Sequence, residues 1–132
     1  MFVLSLHKKH RVVLARFFGV LSSEDLLQLD DALAALVSQE GLMRGIFDFS
    51  TIEANAVPKS FLMTYARLPQ TNPMAQERII VAPQPEVYEL ACGYAIQQRD
   101  SGDMEPEIVL NLADAYRRFG TDGAGFEVLP KR

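Results

Sequence analysis

Gly45-Ile46-Phe47-Asp48-Phe49-Ser50-Thr51-Ile52 is the stretch whose reading decides the fold. Its apolar run starts at Met43 and is nearly unbroken to Phe49. A strand with one wet face alternates apolar and polar residues, whereas a strand covered by helices on both faces does not. The run ends on an acid, a hydroxyl and an irregular segment. Open α/β sheets place their ligands at the C-terminal ends of such strands. Met43 to Phe49 is therefore predicted to be the central strand, and Ser50 to Val57 the functional loop.

Upstream, Phe2 to Leu6 and Arg11 to Gly19 both have strand composition, and the polar turn His7-Lys8-Lys9-His10 separates them. So short a link predicts an antiparallel hairpin. Ser22 with Asp25 three residues on is a helix-start signature. Leu26, Leu29, Leu33, Leu36 and Val37 then recur at helical spacing as far as Gly41.

Downstream, Pro58 opens a second helix with the stripe Phe61, Leu62, Tyr65, Ala66 and Leu68, stopped by Pro69. A polar loop, Gln70 to Glu77, leads into the strand Arg78 to Ala82. Pro83 and Pro85 start a third helix carrying Val87, Leu90, Ala91, Tyr94 and Ala95 on one face, and Ser101-Gly102-Asp103 closes it. Ile108 to Leu110 reads as a fifth strand. Asn111 with Asp114 caps a last helix bearing Leu112, Ala115, Tyr116 and Phe119. Helices between strands require parallel neighbours. The expectation is an α/β fold with about five strands, mixed but mostly parallel, an N-terminal antiparallel hairpin and four helices. Residues 1–132 are read as a single domain with a flexible tail from about 120. Phe126, Val128 and Leu129 could return to the body or meet a partner.

At 132 residues with 48% hydrophobic content, the chain can bury a core without disulfides or metals. A net charge of -4 disfavours nucleic acid and anionic lipid as partners. Cys92 is the single cysteine, which excludes an internal disulfide and a Cys-rich metal site. No apolar run approaches membrane length, and no basic segment precedes the apolar start, so a cytoplasmic setting is expected. No dinucleotide or Walker pattern occurs, and no cofactor is expected.

The opening hairpin, then Asp48-Phe49-Ser50-Thr51-Ile52, then a Pro-started helix, together resemble the STAS domain of the SpoIIAA-like, anti-sigma-factor-antagonist-like family. The resemblance runs from about Phe2 to Phe119. It implies the fold and a non-enzymatic protein-interaction role in bacterial-type signalling. In the antagonist branch an Asp-Ser-Ser-Gly helix start follows, and its serine is phosphorylated by a partner kinase. Asp48, Ser50 and Ile52 match the first part of that pattern, but the later positions read Ala56-Val57-Pro58-Lys59. The phospho-acceptor place thus holds no hydroxyl, and Ser60 is predicted to fall inside the helix. The chain looks closer to a divergent branch that lacks the phospho-acceptor serine. That branch has been compared with lipid-carrying folds, which implies an apolar crevice under the second and third helices.

The expected interaction surface is Asp48, Ser50, Glu53, Asn55, Lys59 and Ser60, helped by the Phe126 to Leu129 tail. Its partner is another protein or a second copy in an isologous homodimer. The first rival is a carrier of a small apolar, lipid-like ligand, with a pocket at Phe61, Met63, Tyr65 and Tyr94 and Met74 nearby. It predicts an internal cavity beside Phe61, Tyr65 and Tyr94. The second rival is a cryptic enzyme using Asp48 with Glu53, which requires the two carboxylates to converge in a cleft. Asp48 is otherwise expected to hold the turn that follows it. His7 and His10 are read as a solvated hairpin turn rather than metal ligands, and Cys92 as a partly buried structural thiol.

Overall fold

The computed structural model describes residues 1–68 and 77–130. Its elements in chain order are β1 (Phe2–His7), β2 (Val12–Phe17), β3 (Gly19–Leu21), α1 (Ser23–Glu40), β4 (Arg44–Asp48) and β5 (Ile52–Asn55). Then come α2 (Lys59–Arg67), β6 (Arg78–Val81), α3 (Pro85–Asp100), β7 (Glu107–Val109), α4 (Leu112–Arg118) and β8 (Glu127–Val128). The expected stop at Pro69, most of the polar loop after it, and Met74 lie outside the described residues.

The main sheet has six strands in the order β7-β6-β4-β2-β1-β8. β1 and β2 form the expected hairpin, in register from Phe2 opposite Phe17 to His7 opposite Val12. β4 runs parallel to β2 on one side and to β6 on the other, and β6 runs parallel to β7. The stretch from Gly45 is thus inside the sheet, as its apolar character requires.

Period-two alternation assigns the two faces. Val13, Ala15 and Phe17 of β2, with Phe47 and Phe49 from β4 and the turn after it, pack towards α1 and α2. Ile80 and Ala82 continue that face beneath α3. Val12, Leu14, Ile46, Ile79 and Val81 point the other way, against Ala115 and Phe119 of the α4 region. Leu26, Leu29, Leu33, Leu36 and Val37 of α1 are all buried, as their spacing predicted. Ser22 and Asp25 form the reciprocal capping box at its start. No base stands in the last turn of α1. Arg11 supplies one from the hairpin turn, donating to the carbonyls of Glu40 and Leu42.

The structure departs from the expected strand count in three places. The run from Arg11 to Gly19 is not one strand: Gly19 has φ +67, in the left-handed region, and starts β3 in a new direction. β3 pairs in parallel with β5, which lies inside the expected loop, and the two make a separate two-stranded sheet. The third difference is the tail. It folds back on the body, where β8 pairs antiparallel with β1 and the Leu129 N–H donates to the Leu4 carbonyl at 2.8 Å. Phe126 packs on Tyr116 and edge-on against His7, so His7 is buried, not part of a solvated turn. Apolar burial at Phe126 and Leu129 outweighs the glycines before them.

Gly125 has φ +84, and a Cβ there would come 2.7 Å from His7 Nε2. Phe126→Ala should cost about 1–3 kcal/mol, less than a fully buried phenylalanine. Gly125→Ala should also destabilise. Urea unfolding of both variants checks this, since a loose tail would leave both midpoints unchanged.

Candidate functional site

The C-terminal end of β4 is built around Asp48, which has no exposed surface. Its Oδ2 accepts from Arg16 Nε at 3.2 Å, and its Oδ1 accepts from the Ser50 N–H at 2.9 Å. The first bond ties β4 to β2 and the second forms the turn. Alternation puts Asp48 on the α4 face with Ile46, next to Arg16 and Tyr116. Burial raises the Tyr116 hydroxyl above its ordinary range, with Arg16 opposing the rise and Asp48 adding to it.

The turn is held from other sides as well. Thr51 donates to the Phe17 carbonyl at 2.8 Å, and the Gln84 amide donates to the carbonyls of Phe49 and Ser50 at 3.0 and 3.3 Å. The Asn55 side chain closes a second small turn onto Val57. Beyond it α2 starts at Lys59, with Pro58 in the capping position and no side-chain cap.

The six expected surface residues therefore separate. Asp48 is buried and Asn55 is half-buried, and the side chains of both hold backbone. Ser50 is half-buried. Glu53, Lys59 and Ser60 are exposed, beside exposed Ala54, Ala56 and Pro58. Ser60 lies inside the helix, as predicted, but close to its mouth. It is the second residue of α2, in its first turn. Asp48 and Glu53 do not share a cleft: one faces the buried α4 side and the other faces solvent. Among the described residues, no three His, Cys, Asp or Glu side chains form a cluster that could hold a metal ion. Cys92 is half-buried and free.

The opposite face of the sheet contains a cavity of about 120 Å³. Leu29 and Leu33 of α1, Leu62 of α2 and Leu90 of α3 close over Phe47, Phe49 and Ile80. Tyr65 and Tyr94 line it as expected for a pocket, and their rings stack at 6.1 Å. Phe61 and Met63 do not. Phe61 stacks on the outer side of Tyr65, and Met63 packs on Gly93, its Cε 3.5 Å from where a Cβ would stand. The sequence reading missed two charged lining residues, Asp30 and Arg78. The signal for Arg78 was a cation heading the apolar run Arg78 to Ala82, and Arg16 interrupts β2 in the same way.

The Tyr65 hydroxyl donates to Asp30 Oδ1 at 2.6 Å. Burial pushes the Asp30 carboxyl above the ordinary carboxylate range, the Tyr65 hydrogen bond opposes this, and the Asp31 charge adds to it. Burial likewise raises Tyr65 and Tyr94, with Asp30 reinforcing it at Tyr65 and Arg78 opposing it at Tyr94.

An antiparallel hairpin feeding a parallel sheet, with helices on both faces, is the architecture of the STAS class. The chain is similar in fold to the anti-sigma factor antagonist SpoIIAA in its unphosphorylated form. The TM-score is 0.60 at 17% identity, over 89% of this chain and 96% of that one. The phosphorylated form of the Bacillus cell fate determinant SpoIIAA gives 0.56 at 17% identity, over 89% and 98% of the two chains. No protein-family model matches the chain, and no curated protein matches its sequence. At this identity the likeness establishes a SpoIIAA-type fold.

Two outcomes check the site. Asp48→Ala leaves Arg16 and the Ser50 N–H without their acceptor. It should cost about 2–3 kcal/mol, below the full loss for a buried pair because the Arg16 side chain is 41% exposed. Asp48→Asn should cost less, and urea unfolding measures both. For Asp30 the folded-state pKa is raised, so its favourable contribution is present below the ordinary 3.8 and is lost as pH rises through the raised value. The stability of the wild type relative to Asp30→Asn should therefore rise as pH falls from about 7 to about 3. A difference that stays constant with pH would contradict the assignment.

Proposed function

We propose that this protein is a regulatory module that works by binding another protein or a second copy of itself. The contact rim is β5, the turn after it and the first turn of α2, with Glu53, Lys59 and Ser60 as its polar anchors. The observation that supports this reading is the rim's construction. Its backbone is tied down by Asp48, Thr51, Gln84 and Asn55, while its side chains face solvent. A surface that is ordered before contact loses less entropy on binding.

The solved neighbours are named an anti-sigma factor antagonist and a cell fate determinant, in unphosphorylated and phosphorylated forms. A broad regulatory role in antagonising a partner protein is carried from that likeness to this chain, and a cytoplasmic setting is part of the same proposal. Among the described residues, no helix is long and apolar enough to cross a membrane. A non-enzymatic role fits Asp48, whose two oxygens are both engaged in holding structure. Phosphate control at the helix cap does not carry over, because Pro58 stands there. The hydroxyl available at the helix start is Ser60.

The test uses the wild type and a Glu53→Lys, Lys59→Glu double variant, compared by light scattering after size exclusion and as bait in the extract of the producing cell. The wild type should elute at twice its 14.7 kDa mass or retain one partner in stoichiometric amount. The double variant should keep its melting temperature and lose most of that association, since rim charges set encounter and register. A wild type that is monomeric and retains nothing would overturn the reading.

A further inference from the structure

The 120 Å³ cavity under α1, α2 and α3 is apolar around most of its wall, with a buried cation at one end. Arg78 heads β6 and is 9% exposed. A guanidinium carries five N–H donors and keeps its charge at any physiological pH. Burying it is costly unless its donors are met and its charge is balanced. Arg78 meets that requirement in part. Its Nη2 donates to the Met104 carbonyl. Its Nε has no acceptor among the described residues, and Arg78 forms no ion pair among them. The preceding segment, residues 69–76, contains no Asp or Glu. Asp30, the carboxylate that lines the same cavity, is engaged by Tyr65.

We propose that this cavity binds a small organic acid, with an aromatic ring or short chain against Leu29, Leu33, Phe47 and Ile80 and its carboxylate on the Arg78 guanidinium. A cavity of this size takes about one ring or a short chain. The planar guanidinium matches a carboxylate, and a charge-assisted contact there supplies the missing counter-charge. The Tyr94 hydroxyl, on the same cavity wall, can donate its proton to the second carboxylate oxygen. This site is separate from the rim and does not depend on the protein-binding reading.

The probes are phenylacetate and hexanoate, their neutral amides, and hexylamine, tested on the full chain by saturation-transfer NMR and thermal shift. The acids should bind and raise the melting temperature, and the amides should bind about tenfold more weakly or worse, because the buried cation is then left unbalanced. Arg78→Met should remove the difference between acid and amide, while Arg78→Lys should keep part of it. Ala91→Leu fills the cavity wall without touching Arg78, and should abolish binding of both. Should Arg78→Met fail to fold, the wild-type comparison of acid with amide and the Ala91→Leu variant still decide. Equal binding of acid and amide, tighter binding of hexylamine through Asp30, or no binding by any probe would each overturn the proposal.

Discussion

A carboxylate removed from water has to be paired or hydrogen-bonded, and Asp48 is the point at which this chain meets that requirement. Arg16 reaches it from the neighbouring strand, and the Ser50 N–H closes on it from the turn. Central strand, adjacent strand and exit turn are thereby joined through one side chain. The exit turn aims the chain at β5, and β5 finds β3 because Gly19 has already turned that segment away from β2. The rim outside the main sheet follows from this sequence of contacts. Asp48 thus shapes the surface from behind, on the face of the sheet opposite the cavity.

Periodicity and caps made most of the framework legible in the sequence. The α1 stripe and its Ser22–Asp25 box are local signals, readable within a few residues of themselves. The hairpin is nearly as local, and the unbroken apolar run of β4 announces cover on both faces. β5 is different: of Ile52-Glu53-Ala54-Asn55, Ile52 alone is buried, so no alternation marks it. It is a strand because β3 lies beside it, which is a non-local fact. β8 is two exposed residues, and its place is decided by the neighbours Phe126 and Leu129 finding apolar surface made elsewhere.

The candidate site was legible in position and not in orientation. Reading Asp48 as the end of the central strand agrees with its place as the last residue of β4. A strand that is apolar on both sides, however, gives no sign of which face its one acid takes, and that face separates surface from scaffold here. Tyr65 and Tyr94 were found because two helices bring aromatic residues to one seam. Phe61 and Met63 were misplaced because a nine-residue helix turns its stripe past the cavity edge within one turn. Arg78 was hidden by being read as a strand boundary.

Three arginines near the N-terminal end of the sheet show what sets Arg78 apart. Arg11 donates to the carbonyls that end α1, and Arg44 donates to the His10 and Phe119 carbonyls while lying 4.5 Å over the Phe119 ring. Both are half-buried, so water completes their solvation. Arg78 makes the same kind of carbonyl contact from a buried position on the cavity wall, where its charge faces a mostly apolar lining. The cavity and the rim then meet in α2. Nine residues are too few for a helix to stand on propensity alone, so its placement comes from what it packs against. Val57, Leu62 and Tyr65 face the cavity, Tyr65 is bonded to Asp30, and Met63 sits on Gly93. Lys59 and Ser60 project from the same short helix into solvent. The packing of the cavity is therefore also what sets the position of the rim.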